Sequence, residues 1–300
     1  MTIKYIERKT GEEVTEIVAG GKVLRWTYET KPGRFLLETI MKRKLFTKIF
    51  GIVMDTTFSK KRIQPFVRDL AIDLSEAQKE KIEDYQNFND FFARHLKQEA
   101  RPVCSKVDTL ASPADGRIFA YENIDINKIV QVKGSHFSLM ELIGDQQLAL
   151  EYEGGICIIV RLAPVDYHRF HFPAKGIPKV AKRIEGHYYS VSPYALRRMT
   201  EIYCRNKREI TELETDLFDR LLLVEVGATC VGSIVQTYEA DKPVIKGQEK
   251  GYFKFGGSTT IIFIKKNIVK IDEDIINNTA KGIETKVNMG ESIGKKLIND

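Results

Sequence analysis

Phe255-Gly256-Gly257-Ser258-Thr259 is the stretch that most limits what this chain can fold into. It leads into Thr260-Ile261-Ile262-Phe263-Ile264, a β-branched and aromatic run that reads as a buried strand. Two glycines just before a strand permit a sharp, positive-φ approach to it. Ser258 then falls where a tight turn meets the strand, its hydroxyl pressed toward the preceding carbonyl. In that geometry the Ser258 oxygen can attack the Gly257 carbonyl. Taken alone, the residues are more simply an ordinary glycine turn entering a strand.

Two further stretches bear on that choice. Ser112-Pro113-Ala114-Asp115-Gly116-Arg117 carries an acid, and Ala163-Pro164-Val165-Asp166-Tyr167-His168-Arg169-Phe170-His171-Phe172-Pro173 carries two histidines. With Ser258 they supply the parts for activating a hydroxyl. Each has a plainer reading. Asp115 sits in a turn composition and suits an Asx-turn. His168 and His171 can be hydrogen-bonded or surface histidines. Residues three apart in an extended segment point to opposite faces, so the two need not share a role. Arg161 and Arg169 can hold an anionic substrate or be ordinary solvated charges.

The chain changes character along its length. Residues 1–30 read as a hairpin or loose arm, with alternation over 22–28 and a turn at Gly20-Gly21. Residues 34–54 read as helical with two apolar faces. Leu36, Leu37, Ile40 and Met41 form one, and Leu45, Phe46, Ile49, Phe50, Ile52 and Val53 the other. The two point in roughly opposite directions, which predicts a break near residues 42–44, or a helix with core on one side and something apolar on the other. A short helix is expected from Ser75 and another over 87–96 with Phe88, Phe91 and Phe92 on a core face; His95 is a surface or packing residue. Strands are expected at 117–121, 156–162, 182–189, 221–226, 230–237 and 259–264. Helices are expected at 139–143 and from the Ser192 cap, through Pro193, to about 204. The fold class is therefore α+β: an N-terminal helical region (residues 1–100) on a β-rich, mainly antiparallel catalytic domain (101–300).

Charge is uneven. Residues 31–68 hold ten Lys or Arg and two acids, a net of +8, while the whole chain is +6. A basic segment rich in apolar residues suits a negatively charged surface, and an anionic bilayer in particular, held there by Lys/Arg and by Phe and Ile side chains. Ordinary packing onto the domain is the alternative. Residues 1–9 lack a signal-peptide core, and no run of about 18 uncharged apolar residues suggests a membrane span. Cys104, Cys157, Cys204 and Cys230 are widely spaced and read as reduced core thiols of a cytosolic protein. No metal site is expected, since the histidines do not pair with them at ligand spacing. No nucleic-acid partner is expected.

Several of these segments, in this order, resemble the phosphatidylserine decarboxylase proenzymes. The shared motifs are Asn87-Phe88-Asn89-Asp90-Phe91-Phe92-Ala93-Arg94-His95-Leu96 running on to Arg101-Pro102, the Asp115 and His168/His171 segments, Gly227-Ala228-Thr229-Cys230-Val231-Gly232-Ser233-Ile234, the Gly257-Ser258 turn, and the tail Gly282-Ile283-Glu284-Thr285-Lys286-Val287-Asn288-Met289-Gly290-Glu291. The family cleaves itself before the serine of an LGST or GGST motif. Gly256 stands here where Leu is commoner, which leaves the Gly257–Ser258 bond intact. The resemblance implies that Ser258 becomes a covalent pyruvoyl cofactor. It implies Asp115 orienting His171 as the base for cleavage, with His168 acting in decarboxylation. It further implies fragments 1–257 and 258–300 that stay together as a heterodimer, with homodimers of these possible. The expected reaction converts phosphatidylserine to phosphatidylethanolamine and CO₂ through a Schiff base, at the cytoplasmic face of the cell membrane as a peripheral protein. Three rivals remain on the residues alone: a serine hydrolase with an intact chain, a non-enzymatic membrane-binding module, and a pyruvoyl decarboxylase of a soluble amino acid.

Overall fold

The strand Ser258–Ile264 is buried along its whole length, and it lies in the middle of the largest sheet. The computed structural model describes residues 3–132, 135–228, 234–256 and 258–298. Gly257, half of the expected scissile bond, lies outside them, as do Cys230 and the rest of residues 229–233. The main sheet runs in the order Lys182–Ile184, Arg208–Thr215, Asp219–Val226, Ser258–Ile264, Ile156–Leu162, Gly116–Glu122, Glu284–Val287, Lys4–Glu7, Glu13–Thr15. Every neighbouring pair is antiparallel except Lys4–Glu7, which lies parallel to Glu284–Val287. The α+β class with a mostly antiparallel sheet is as expected.

Strand alternation explains why both faces of Ser258–Ile264 are apolar. Ile261 and Phe263 enter one core with Cys157, Ile159, Leu222 and Val224. Ile262 and Ile264 enter a second core with Ile158, Val160 and Leu223, beneath the helix Glu273–Ala280 that supplies Ile275. A smaller sheet, Ile234–Gln236, Glu249–Phe253 and Arg169–His171, packs into this second core through Ile234, Phe253 and Phe170. A third, aromatic cluster joins Met54, Ile63, Tyr85, Phe88, Phe91 and Phe92, with Phe255 packed against it.

Several elements differ from their sequence reading. Residues 22–28 lie in the helix Gly21–Glu29. Their alternation is overridden by the burial of Tyr28, with Leu24 one turn away, against the first core. The hairpin of the arm is instead Lys4–Glu7 with Glu13–Thr15. No helix starts at Ser75, whose backbone N–H and hydroxyl both bond the Asp73 carboxylate, a local alternative to a helical turn. The 87–96 helix shrinks to Phe88–Phe92, capped by the Asn87 side chain. The helix from Ser192 stops at Leu196, and Glu201 in left-handed geometry separates it from Ile202–Arg205. The strand expected to reach residue 189 ends at Ile184. The break in the basic segment falls where the two apolar faces required it: Leu37–Met41 is a π-turn and Lys44–Met54 begins a new helix.

Candidate active site

Ser258 opens its strand opposite Leu162, and Thr259 lies between Arg161 and Val226. The approach is set by two features. Gly256 has φ +138°, which L side chains rarely adopt. Phe255 is clamped by aromatic rings, with centroids 4.7 Å from Phe88 and 5.0 Å from Phe92, while its N–H donates to Asn89 Oδ1 at 2.9 Å. The Phe88–Phe92 helix thus fixes the chain just before the serine.

The Ser258 hydroxyl meets His168. Nδ1 lies 3.3 Å from Ser258 Oγ and Nε2 lies 3.0 Å from the Ala163 carbonyl oxygen. A carbonyl only accepts, so Nε2 carries the ring proton and Nδ1 turns its lone pair toward the serine. Phe92 stacks on the imidazole at 3.9 Å and completes its burial. Burial lowers the His168 pKa to about 3, Asp166 opposing the effect and Arg94 adding to it. The ring is therefore neutral across the physiological range.

Asp166 holds the turn that carries His168. It accepts from the Ala163 N–H at 2.7 Å and from Lys286 Nζ at 2.9 Å, and it pairs with Arg117. Burial pushes its carboxyl up, but Arg117, Lys286 and the Ala163 N–H together hold it well below the usual carboxylate range. Sequence reasoning passed over Asp166; its place two residues before His168 was the available signal.

The hydrogen-bonded series Asp115–His171–Ser258 does not form among the described residues. Asp115 is taken by Arg101, with contacts of 2.9, 3.0 and 2.7 Å, and by the Met289 N–H at 2.8 Å. His171 donates its backbone N–H to the Pro113 carbonyl at 2.7 Å, and its ring lies 5.7 Å from that of Tyr167. That ring faces a cavity of about 650 Å³ shared with Leu96, Arg101, Gln248 and Met289. Its Nδ1 is buried without a partner. Burial lowers the His171 pKa to about 4, opposed by Glu249 and Asp115, so acid and histidine are in electrostatic reach but not bonded.

Arg161 and Arg169 are not solvated charges. Arg161 is buried between Glu16 and Glu284, each at 2.6 Å, and Arg169 pairs with Glu249 at 2.9 Å. Both are already neutralised by carboxylates. Arg94 differs: it is 6% exposed, its Nε and Nη1 have no partner, and Nη2 donates only to the Val165 carbonyl at 3.4 Å.

A family model described as phosphatidylserine decarboxylase matches residues 88–295. The chain belongs to the phosphatidylserine decarboxylase family. It is 53% identical over 294 residues to a protein of Clostridium perfringens named phosphatidylserine decarboxylase proenzyme, covering 98% of this chain and 100% of that one. Proteins of the same name from Clostridium botulinum and Clostridium beijerinckii are 52% and 49% identical over 296 residues, each covering 99% of this chain and 100% of the relative. The family match begins at Phe88, the first residue of the helix that clamps Phe255, so it takes in that helix, the His168 turn and the Ser258 strand, while Phe50 and Phe66, which also pack on Phe255, precede it. The relatives extend the likeness through the arm and the basic segment as well.

Proposed function

We propose that this chain is a phosphatidylserine decarboxylase proenzyme that matures by breaking its own Gly257–Ser258 bond. The observation that carries this reading is the Ser258 hydroxyl, held at the start of a buried strand against the free lone pair of a neutral histidine. His168 takes the hydroxyl proton, and Ser258 Oγ adds to the Gly257 carbonyl, shifting the acyl group from nitrogen to oxygen. Elimination across Cα–Cβ of residue 258 breaks the ester and frees the Gly257 carboxylate. The dehydroalanine left behind tautomerises, and water replaces its nitrogen, releasing ammonia and leaving a pyruvoyl group at the head of 258–300.

The residues present fit that group. Position 258 is buried, and the ring of His168 is already turned toward it. The pyruvoyl carbonyl supplies the electron sink for decarboxylation. Phe92 and the buried walls shield it from bulk solvent while single waters still reach it, the aromatic clamp on Phe255 shapes its approach, and His168 is placed to hold or return a proton there.

A second reading keeps His171 as the base for cleavage and reserves His168 for decarboxylation. It is favoured by the buried, unpartnered Nδ1 of His171, a group poised to accept a bond it does not yet make, with Asp115 as the nearby carboxylate.

We keep residues 1–100 as arm and membrane-associating region and 101–300 as catalytic domain, with the arm strands joining the main sheet and residues 88–94 reaching across that boundary into the Ser258 site. Among the described residues no helix is long and apolar enough to cross a membrane. Leu45, Ile49 and Ile52 are 68%, 54% and 56% exposed on the Lys44–Met54 helix, amid the basic segment. Such a face suits peripheral binding to the anionic cytoplasmic side of the cell membrane, where the two-chain substrate resides. Intact-mass measurement tests the core of this reading. The parent should appear as two fragments meeting at 257/258, and Ser258→Ala as one chain. Two fragments from Ser258→Ala would overturn it.

A further inference from the structure

We propose that the pocket beside the His168 turn is an anion site, and that Arg94 is its receptor for a phosphate or carboxylate of the lipid headgroup. The proposal rests on the reading above that phosphatidylserine is the substrate. The pocket has a volume of about 300 Å³, and four cations line it: Arg94, Arg101, Arg117 and Lys286. Three are matched. Arg101 pairs with Asp115 at 2.7 Å and Glu76 at 2.9 Å; Arg117 pairs with Asp166 and, at 3.3 Å, Glu16; Lys286 pairs with Asp166 at 2.9 Å. Arg94 makes no ion pair with any described residue, and its Nε and Nη1 donate to nothing.

A buried guanidinium without a counter-ion is costly, because desolvation is not repaid by a partner. The Phe91 ring, 5.3 Å below the guanidinium, offsets part of that cost. An entering anion would satisfy the remaining N–H groups with charge-assisted bonds. The place is right for a headgroup. Arg94 follows Phe92, which stacks on His168, and it touches the carbonyl of Val165 in the loop leading to His168. Its charge is felt at His168, where it adds to the effect of burial. An anion bound there would bring the amine of the same headgroup toward position 258. Of the acids lining the pocket, Glu16, Glu76, Asp115 and Asp166 are engaged by other cations and Asp73 accepts from Ser75, which leaves Arg94 as the lining cation without a carboxylate partner.

The test uses full-length protein with Ser258→Ala, so that cleavage does not enter, and thermal melting at fixed ionic strength. The probes are glycerophosphoserine and glycerophosphoethanolamine. Both should raise the melting temperature, and adding Arg94→Met should weaken binding of at least one of them tenfold or more, with Arg94→Lys intermediate. Weakening of both probes marks phosphate as the ligand group; weakening of glycerophosphoserine alone marks the carboxylate. Without probe, Arg94→Met should melt no lower than its parent, since it removes an unmatched buried charge. Equal binding of both probes to parent and Arg94→Met overturns the proposal. If Arg94→Met does not fold, parent-like binding by Arg94→Lys overturns it instead. In the self-cleaving background, Arg94→Lys should raise KM for phosphatidylserine more than it lowers kcat. A parent that stays one chain and decarboxylates nothing sinks the functional reading, whereas the melting measurement still reports on Arg94.

Discussion

A single imidazole lone pair separates the two readings of cleavage. His168 Nδ1 faces Ser258 Oγ, and His171 Nδ1 faces no described partner. General-base assistance contributes roughly 10²- to 10⁴-fold. His168→Ala should therefore slow cleavage at least ~100-fold, read as a time course of fragment appearance on a gel, while His171→Ala cleaves near the parental rate. The reverse pattern, an uncleaved His171→Ala beside a mature but poorly decarboxylating His168→Ala, would establish the second reading. The chemistry of this site was legible in the sequence because a serine behind two glycines, a turn aspartate and a paired-histidine segment each carry a local signature. Their pairing was not. Ser258 and His168 are 90 positions apart, and their contact depends on strand register and on Asp166 capping Ala163. Asp115 shows the same limit: its charge was recognised, but its capture by Arg101 depends on how the segment after residue 96 folds back.

At the scale of elements, the Lys44–Met54 helix presents two distinct faces. Thr47 and Met54 are buried, and Phe50 stacks on Phe255 at 5.8 Å, so this side belongs to the protein and to the cleavage segment. Leu45, Ile49 and Ile52 point away from it. The sequence grouped Phe50 with them because it shares the same apolar arc, and only packing against Phe255 separates it. Replacing Leu45, Ile49 and Ile52 by Ser should lower co-sedimentation with anionic liposomes while fragments form as in the parent. Parental binding should rise with anionic lipid content and fall partly with salt, each Lys or Arg near the surface contributing about 1 kcal/mol. Unchanged binding by the triple variant would remove this face from the membrane. Strands with continuous apolar runs, such as Ile156–Leu162, were readable; Arg208–Thr215 was not, because Arg208, Glu209, Glu212 and Glu214 break its apolar pattern. Its charges are absorbed by the fold instead: Arg208 bonds the carbonyls of Leu142 and Glu141, and Glu209 pairs with Arg183.

For the whole molecule, cleavage at 257/258 would not divide the cores. Residues 258–298 supply the sheet's central strand, flanked on both sides by strands of the larger fragment, and also the helix Glu273–Ala280 and the strand Glu284–Val287. Ion pairs cross the same divide, Arg161–Glu284 and Asp166–Lys286 among them. The two fragments should therefore co-elute in native buffer and part only in denaturant; elution as separate species would contradict this topology. Acid should loosen the assembly in a defined window. His168 and His171 are held neutral by burial, with pKa values of about 3 and about 4 against an ordinary 6.5. Between those values the unfolded chain binds protons that the folded chain does not. Their contribution to stability is thus complete above about pH 6.5 and falls as pH drops toward 4 and then 3, by up to ~1.4 kcal/mol per pH unit for each. His95 and His187, less buried, shift the same way and add to the slope. Asp166, whose pKa is depressed from 3.8, enters only at lower pH. The urea midpoint of the Ser258→Ala chain should therefore drop between pH 7.5 and 5, and His171→Phe, which keeps a buried ring without the proton site, should drop less. Equal losses in the two would assign the acid sensitivity to other groups.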